Sequence, residues 1–251
     1  TGLPGFAAWG LAGLLVCTAL LILRRPVAQL IRLILRSSVG LAALALFSQV
    51  GQALGVTLGV NLVNALVLGL LLSFGTMSRI RPVSALSKLY VYLMRSTPLM
   101  LQLAIVYYLP GFLNPGHMLS RMTAACLAFV LNYAAYFSEI FRGGIQGVPL
   151  GQREAGQVLG MTKSQIFFKV TLLQVIKRIV PPMGNEVITL IKDTSLANFI
   201  MVKEIIAMAK EFGNKAMIWP LFYAGVFFLV FNGIVTVALS RTEKKLDYFR
   251  V

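Results

Sequence analysis

The chain has 251 residues, of which 58% are hydrophobic and only 12% charged, with a mean hydropathy of +0.82. Lys and Arg number 23 against 8 Asp and Glu, for a net charge of +15. Soluble domains are about 45–50% apolar and ~25% charged, so this composition excludes an ordinary soluble globular protein and a disordered chain. The basic residues punctuate long apolar runs instead of covering a polar surface. That excludes a nucleic-acid binder and matches the way a polytopic membrane protein sorts charge.

The first apolar run, 6–23, ends at Arg24-Arg25-Pro26. It lacks a basic n-region and a clean cleavage site, so it reads as a span and not as a signal peptide. A short basic amphipathic piece with Arg32 and Arg36 follows. The run 39–74 is too long for one upright helix at ~1.5 Å rise per residue, and it divides near 52–55 into two spans. Arg79, Arg81 and Pro82 mark a loop. Residues 86–109 form the fourth span, interrupted by Arg95 and Pro98, and Asn114-Pro115-Gly116 is a turn signal. Residues 122–140 form the fifth span. The stretch 143–178 is polar, basic and amphipathic, a loop with interfacial helices. Residues 183–202 form a sixth span in spite of Glu186, Lys192 and Asp193. Residues 218–239 form the seventh, and the tail from Arg241 is charged and solvated.

Several chemistries are excluded. Cys17 and Cys126 lie inside apolar runs, which argues against a disulfide framework. His117 is the single histidine, and the chain has no HExxH and no Cys/His cluster, so no zinc site is encoded. It has no GxxxxGK[ST] phosphate loop. A membrane-embedded hydrolase would need a nucleophile, a base and an orienting group, and that set cannot be assembled.

Orientation follows from the loop charges. Arg79, Arg81 and Lys88 fall on one side. So do the basic residues of 142–178, and Arg241, Lys244, Lys245 and Arg250. The other side has Arg121, Lys203, Lys210 and Lys215, partly offset by Glu204 and Glu211. The richer side is cytoplasmic, which puts the N-terminus outside and the C-terminus inside.

Within the cytoplasmic loop, a short helix is expected from Gln152 to Leu159. Gly160 is its C′ residue, and Thr162 caps a second helix with Ser164 close behind. Such an elbow at the membrane face offers a rigid surface to a cytoplasmic partner. A plain amphipathic interfacial loop would share the same spacing.

This loop resembles the Glu-Ala-Ala…Gly signature of ATP-binding-cassette (ABC) importer permeases. Its flanks resemble the polar amino acid permease family. Tyr136-Phe-Ser-Glu-Ile-Phe-Arg-Gly-Gly-Ile-Gln-Gly-Val-Pro-Leu-Gly-Gln-Arg-Glu-Ala is similar to that family's approach to the signature. Arg95-Ser-Thr-Pro-Leu-Met-Leu-Gln-Leu resembles its Arg-Gly-Thr-Pro-Leu-Leu-Val-Gln block. Leu190-Ile-Lys-Asp-Thr-Ser-Leu resembles its Leu-Lys-Asp-Thr-Ser-Leu block. The three blocks occur in the right order, and the resemblance covers about 53–249. There are two departures. Gly156 replaces the third signature residue, loosening the helix by up to ~1 kcal/mol of propensity. Leu172-Leu173 replaces a later Leu-Pro.

The resemblance implies an all-α polytopic membrane protein with a five-helix permease core at 53–251. About two extra transmembrane helices occupy 1–52, and a coupling loop occupies about 143–182. It implies an ATP-driven polar amino acid importer working by alternating access in the cytoplasmic (inner) membrane. The implied partners are cytoplasmic ABC ATPase subunits, a second permease of the same or a paralogous kind, and an extracytoplasmic amino acid-binding protein. ATP and Mg would sit on the partner subunits, with no cofactor on this chain, which is then not itself an enzyme.

Arg153, Glu154, Ala155, Gly156 and Gly160 are the expected ATPase-coupling residues. Glu154 is alternatively a helix N-terminal carboxylate balancing the macrodipole. A zwitterionic solute needs an acceptor for its ammonium and donors for its carboxylate. Lys192, Asp193, Thr194 and Ser195 offer both within a span, where ionisable groups are costly and usually face a cavity or a partner. A charge pair in the bundle interior is the plainer reading of Lys192 and Asp193. Thr97 and Gln102 join the expected solute site because Pro98 breaks the fourth span. Arg95 reads as snorkelling to the interface, and Glu139 with Arg142 as a simple i,i+3 pair.

Residues 31–71 also resemble the small membrane inhibitor of pro-sigma-K processing. That resemblance implies a different function, a non-transporting regulator of a membrane protease complex.

Overall fold

The computed structural model describes residues 61–116, 118–213 and 218–246. The two most N-terminal spans, the region 1–52, His117 and most of the 31–71 stretch lie outside them. The described residues are helical, with no strand among them. In chain order they form α1 (Asn61–Thr76), α2 (Arg81–Ser96), α3 (Leu99–Leu113), α4 (Arg121–Gln146), α5 (Leu150–Val158) and α6 (Lys163–Ile166). A π-helical turn (Phe167–Thr171) leads into α7 (Leu172–Asp193). A 3-10 segment (Thr194–Ile200), α8 (Ile205–Gly213) and α9 (Trp219–Leu246) complete the order.

α4 is the centre of the bundle and packs against α2, α3, α7 and the 3-10 segment. Ser120 starts it, its hydroxyl accepting from the backbone N–H of Thr123 at 3.1 Å. Its buried face carries Ala124, Ala125, Ala128, Ala134 and Ala135, small residues that let neighbouring backbones come close. α1 uses the same device. A Cβ on Gly69 would lie 2.8 Å from Phe137 Cβ and 2.9 Å from the Ala134 carbonyl oxygen.

By length and composition α4 and α9 can each cross a membrane, and α2 with α3 form a third candidate. The fourth span is broken at Pro98, as the sequence suggests. α2 and α3 meet at 108° across Thr97-Pro98. Proline lacks an N–H and pushes the residue before it into extended backbone, and Thr97 has φ −109 and ψ 144.

The sixth span differs. The expected span is 183–202, yet α7 begins at Leu172, includes both Pro181 and Pro182, and gives way to the 3-10 segment after Asp193. Inside a membrane bundle the freed carbonyls are tolerated where neighbours or a cavity accommodate them. The seventh span matches closely, as α9. Its apolar side chains stay largely open, Phe222 and Leu229 among them. That fits a helix solvated by lipid tails and not by water.

Candidate functional site

A cleft of 490 Å³ opens between the end of α2, the second half of α4 and the middle of α7. Arg95, Tyr136, Glu139, Arg178, Pro182 and Glu186 line it. Glu139 is its best-held charge. Arg142 donates Nε to Oε1 at 3.0 Å and Nη2 to Oε2 at 2.5 Å, the forked geometry that makes guanidinium–carboxylate pairs strong. The i,i+3 pair expected from sequence is therefore present. Arg95 approaches the same carboxylate. Its Nη1 lies 3.6 Å from Glu139 Oε2, and its guanidinium sits 5.4 Å from the Tyr136 ring centroid. An ion pair and a cation–π contact hold it against α4.

Deeper along α7, Tyr133 donates its hydroxyl to Asp193 Oδ2 at 2.8 Å. Glu186 and Asp193, seven residues apart, share one helix face. Lys192 follows the next direction round the helix and is exposed. Among the described residues no ion pair within 4 Å joins it to Asp193. The hydroxyl of Thr194 donates to the Ile191 carbonyl at 2.7 Å, and that of Ser195 to the Lys192 carbonyl at 2.8 Å. Each hydroxyl oxygen keeps acceptor capacity.

Gln102 is buried and fastens the bend. Its Nε2 donates to the Met94 carbonyl at 2.9 Å and to Thr97 Oγ1 at 2.8 Å, while its Oε1 accepts from Asn132 Nδ2 at 3.0 Å. Thr97, exposed, donates to the Leu93 carbonyl at 2.8 Å. The structure thus brings Thr97 and Gln102 together at the α2–α3 corner, and places Asp193, Thr194 and Ser195 at the far end of α7.

The elbow is as the sequence suggests, with one difference. α5 starts at Leu150, two residues earlier than expected, so Glu154 is not in the first turn, which has no acidic residue. The macrodipole reading of Glu154 loses its basis. Glu154, Arg153 and Ala155 are exposed. Gly160 takes φ +72, with its N–H bonded to the Gln157 carbonyl and that of Met161 to the Gly156 carbonyl. These are the two bonds of a Schellman C-cap. Thr162 closes a capping box with Gln165 at the start of α6. Gly156 is the buried residue of α5, and a Cβ there would lie 2.8 Å from Ile166 Cγ1. Its departure from the family signature therefore serves close α5–α6 packing and does not simply loosen a helix. Gln174 Nε2 at the start of α7 donates to Gln152 Oε1 at 3.2 Å, tying the elbow to the helix that lines the cleft.

Sequence reasoning left Tyr133, Tyr136 and Asn132 unassigned, counted Arg178 only as loop charge, and saw Glu186 only as a flaw in a span. A signal existed. Asn132, Tyr136, Glu139 and Gly143 recur at spacings of four, three and four, one face of a helix.

Among known proteins, residues 65–247 match the family described as "Binding-protein-dependent transport system inner membrane component". The chain is 36% identical over 193 residues to the L-cystine transport system permease protein TcyB of Bacillus subtilis, covering 75% of this chain and 81% of that protein. It is 36% identical over 201 residues to the arginine transport system permease protein ArtQ of the same organism, covering 78% and 91%. Of solved structures, an amino acid ABC transporter with histidines superposes with a TM-score of 0.73 at 28% identity, over 82% of this chain and 96% of that one. The MetNI methionine ABC transporter shares the fold, with a TM-score of 0.65 at 17% identity over 80% and 96%. These relatives do not favour a membrane-protease regulator. By a match over most of its length, the chain belongs to the family of inner membrane components of binding-protein-dependent transport systems.

Proposed function

We propose that the chain is the transmembrane permease subunit of an ATP-driven importer of polar amino acids. The similar permeases of cystine and arginine support the solute class. The observation that carries the coupling mechanism is the Gln152–Gln174 hydrogen bond, because it joins the exposed elbow to the helix bearing Glu186 and Asp193. In this reading α5 docks on a cytoplasmic ABC ATPase through Arg153, Glu154 and Ala155. Gly156 and Gly160 keep the elbow compact. Closure of two ATPases on ATP and Mg moves the elbow and shifts the bundle between outward- and inward-open states. The ATPase must hold one state more tightly than the other, since equal affinity shifts nothing. ATP chemistry stays on the partners.

A second permease, the same or paralogous, completes the pathway, and an extracytoplasmic binding protein delivers solute to the outer face. The N-terminus is outside and the C-terminus inside. Asp193, presented by Tyr133, accepts the solute ammonium. Lys192, Thr194 and Ser195 supply partners for its carboxylate. Thr97 and Gln102 shape the corner beside the path.

Co-purification in detergent with ATPase subunits tests this, comparing the wild type with Glu154→Lys. The expected result is a stable wild-type complex that charge reversal weakens or uncouples. Equal capture of the ATPase by the variant, with turnover still coupled to solute, would remove the elbow from its role. No capture by the wild type would remove the importer reading.

A further inference from the structure

Between α7 and α8 the chain is held at both ends and strained in between. At the α7 end, Asp193 accepts from the Tyr133 hydroxyl on α4 at 2.8 Å. At the α8 end, the Glu204 carboxylate accepts from the backbone N–H groups of Ile206 and Ala207 and so caps the helix. The seven residues after Asp193, Thr194–Ile200, wind as a 3-10 helix packed on α3 and α4, with Ala197 and Ile200 buried. Runs longer than about four residues are uncommon in this poorer hydrogen-bond geometry, and such a stretch marks a hinge or a sequence under strain. Thr194 and Ser195 supply a local cause. Their hydroxyls donate to the Ile191 and Lys192 carbonyls, the acceptors that the next α-helical turn would use.

The segment ends on Met201, which takes φ +59 and ψ +30. Among the described residues it alone, glycines aside, has positive φ. Its N–H bonds to the Asn198 carbonyl at 2.9 Å, and that of Val202 to the Ala197 carbonyl at 3.2 Å. This is the same cap that ends α5, where Gly160 fills the left-handed position. A side chain in that position disfavours the conformation by about fivefold to thirtyfold relative to glycine. Met201 is 64% exposed, so packing of its side chain does little to offset this.

We infer that residues 194–201 are a strained joint between α7 and α8, closed in this structure and released when the permease changes state. On release Met201 returns to ordinary backbone, and the 3-10 turns slip into the α-helical register of α7. Seven residues shorten by about 3.5 Å in that conversion, at ~0.5 Å of rise each, and rotate by about 140°. Movement of α7 is thereby passed to α8 as a pull and a rotation. This inference rests on the importer reading and names a moving part within it.

The test is hydrogen–deuterium exchange over residues 198–203 of the full chain in detergent, compared as protection factors so that intrinsic differences between side chains drop out. Met201→Gly removes the strain and should raise protection of this segment about fivefold or more. Met201→Val, β-branched and worse suited to positive φ, should lower it. With ATPase subunits captured, the non-hydrolysable analogue AMP-PNP with Mg should lower protection in the wild type, and lower it less in Met201→Gly. Solute-stimulated ATP turnover should fall in Met201→Gly although the ATPase is captured as before, which a merely structural cap would not show.

Equal protection in the wild type and Met201→Gly would overturn the inference. So would a captured ATPase whose nucleotide leaves protection of the segment unchanged, and in that case the joint fails while the importer reading stands. If the wild type captures no ATPase, the importer reading fails, and the order glycine, methionine, valine in the isolated chain still decides whether the joint stands.

Discussion

Arg95 Nη1 on α2 lies 3.6 Å from Glu139 Oε2 on α4, and the same carboxylate receives both Nε and Nη2 of Arg142 one turn further along α4. Glu139 is thus the hub that fixes the end of α2 to the central helix, and Arg142 neutralises it with or without Arg95. Arg95 is partly exposed, so its removal is expected to cost less than about 1 kcal/mol. Glu139→Gln leaves two guanidiniums without their counter-charge and should cost more than Arg95→Ala. Thermal unfolding in detergent gives the order. A lower midpoint for Arg95→Ala than for Glu139→Gln would deny Glu139 the hub position.

Gly156 faces Ile166 so closely that a Cβ would come within 2.8 Å of Ile166 Cγ1. Alanine improves helix propensity by up to ~1 kcal/mol, but overpacking costs about 1–3 kcal/mol. Gly156→Ala should therefore destabilise the elbow and reduce ATPase capture. Gly156→Ala combined with Ile166→Ala should recover part of that capture. Full capture by the single variant would show that α5 and α6 move apart without cost.

Gly160 holds φ +72 at the end of α5, with open space where a side chain would go. Substitution meets backbone strain alone. Gly160→Ala should cost about 1–2 kcal/mol, and Gly160→Asn less, since asparagine tolerates this region. Limited proteolysis between α5 and α6 should rise in the same order.

Gln102 uses both ends of its amide at the α2–α3 corner, donating to Met94 and Thr97 and accepting from Asn132. Gln102→Met keeps the volume and removes those bonds. Each buried polar group left unmatched costs about 1–3 kcal/mol, so a clear drop in thermal midpoint is expected. An unchanged midpoint would mean that the 108° bend is fixed by Pro98 alone.

Glu204 stands between the 3-10 segment and α8. It accepts from the backbone N–H of Ile206 at 2.8 Å and from that of Ala207. Burial pushes its carboxyl above the ordinary glutamate range, outweighing the two backbone donors that lower it. The folded chain therefore keeps this proton to higher pH than the unfolded chain. The group's favourable contribution is full below the ordinary glutamate value and is lost as pH rises through the folded value. Glu204→Gln keeps an acceptor for the cap and should flatten this part of the profile of thermal midpoint between about pH 4 and pH 7. An identical slope in wild type and variant would exclude Glu204 as its source.

The fold class and the elbow were legible in the sequence because they depend on local rules. Long apolar runs punctuated by basic residues set the membrane character. Gly160, Thr162 and Gln165 carry their cap chemistry within a few residues of one another. The three sequence blocks beginning near Arg95, Tyr136 and Leu190 pointed to the family that the match over 65–247 shows. Pro98 announced a break, but nothing local announced that Gln102 at the 108° bend meets Asn132 across on α4.

What only the tertiary structure decided was which charges meet. Arg95 and Glu139 are 44 residues apart in sequence and 3.6 Å apart in space. Tyr133 and Asp193 are 60 residues apart and 2.8 Å apart. No periodicity along one helix encodes a contact between two, because side-chain pairing across a bundle depends on rotation and packing depth. Those are set here by alanines and glycines such as Ala134 and Gly69. For the same reason Glu186 read as a defect in a hydrophobic run until the helices closed around it and left it lining a cleft with Arg95, Glu139 and Arg178.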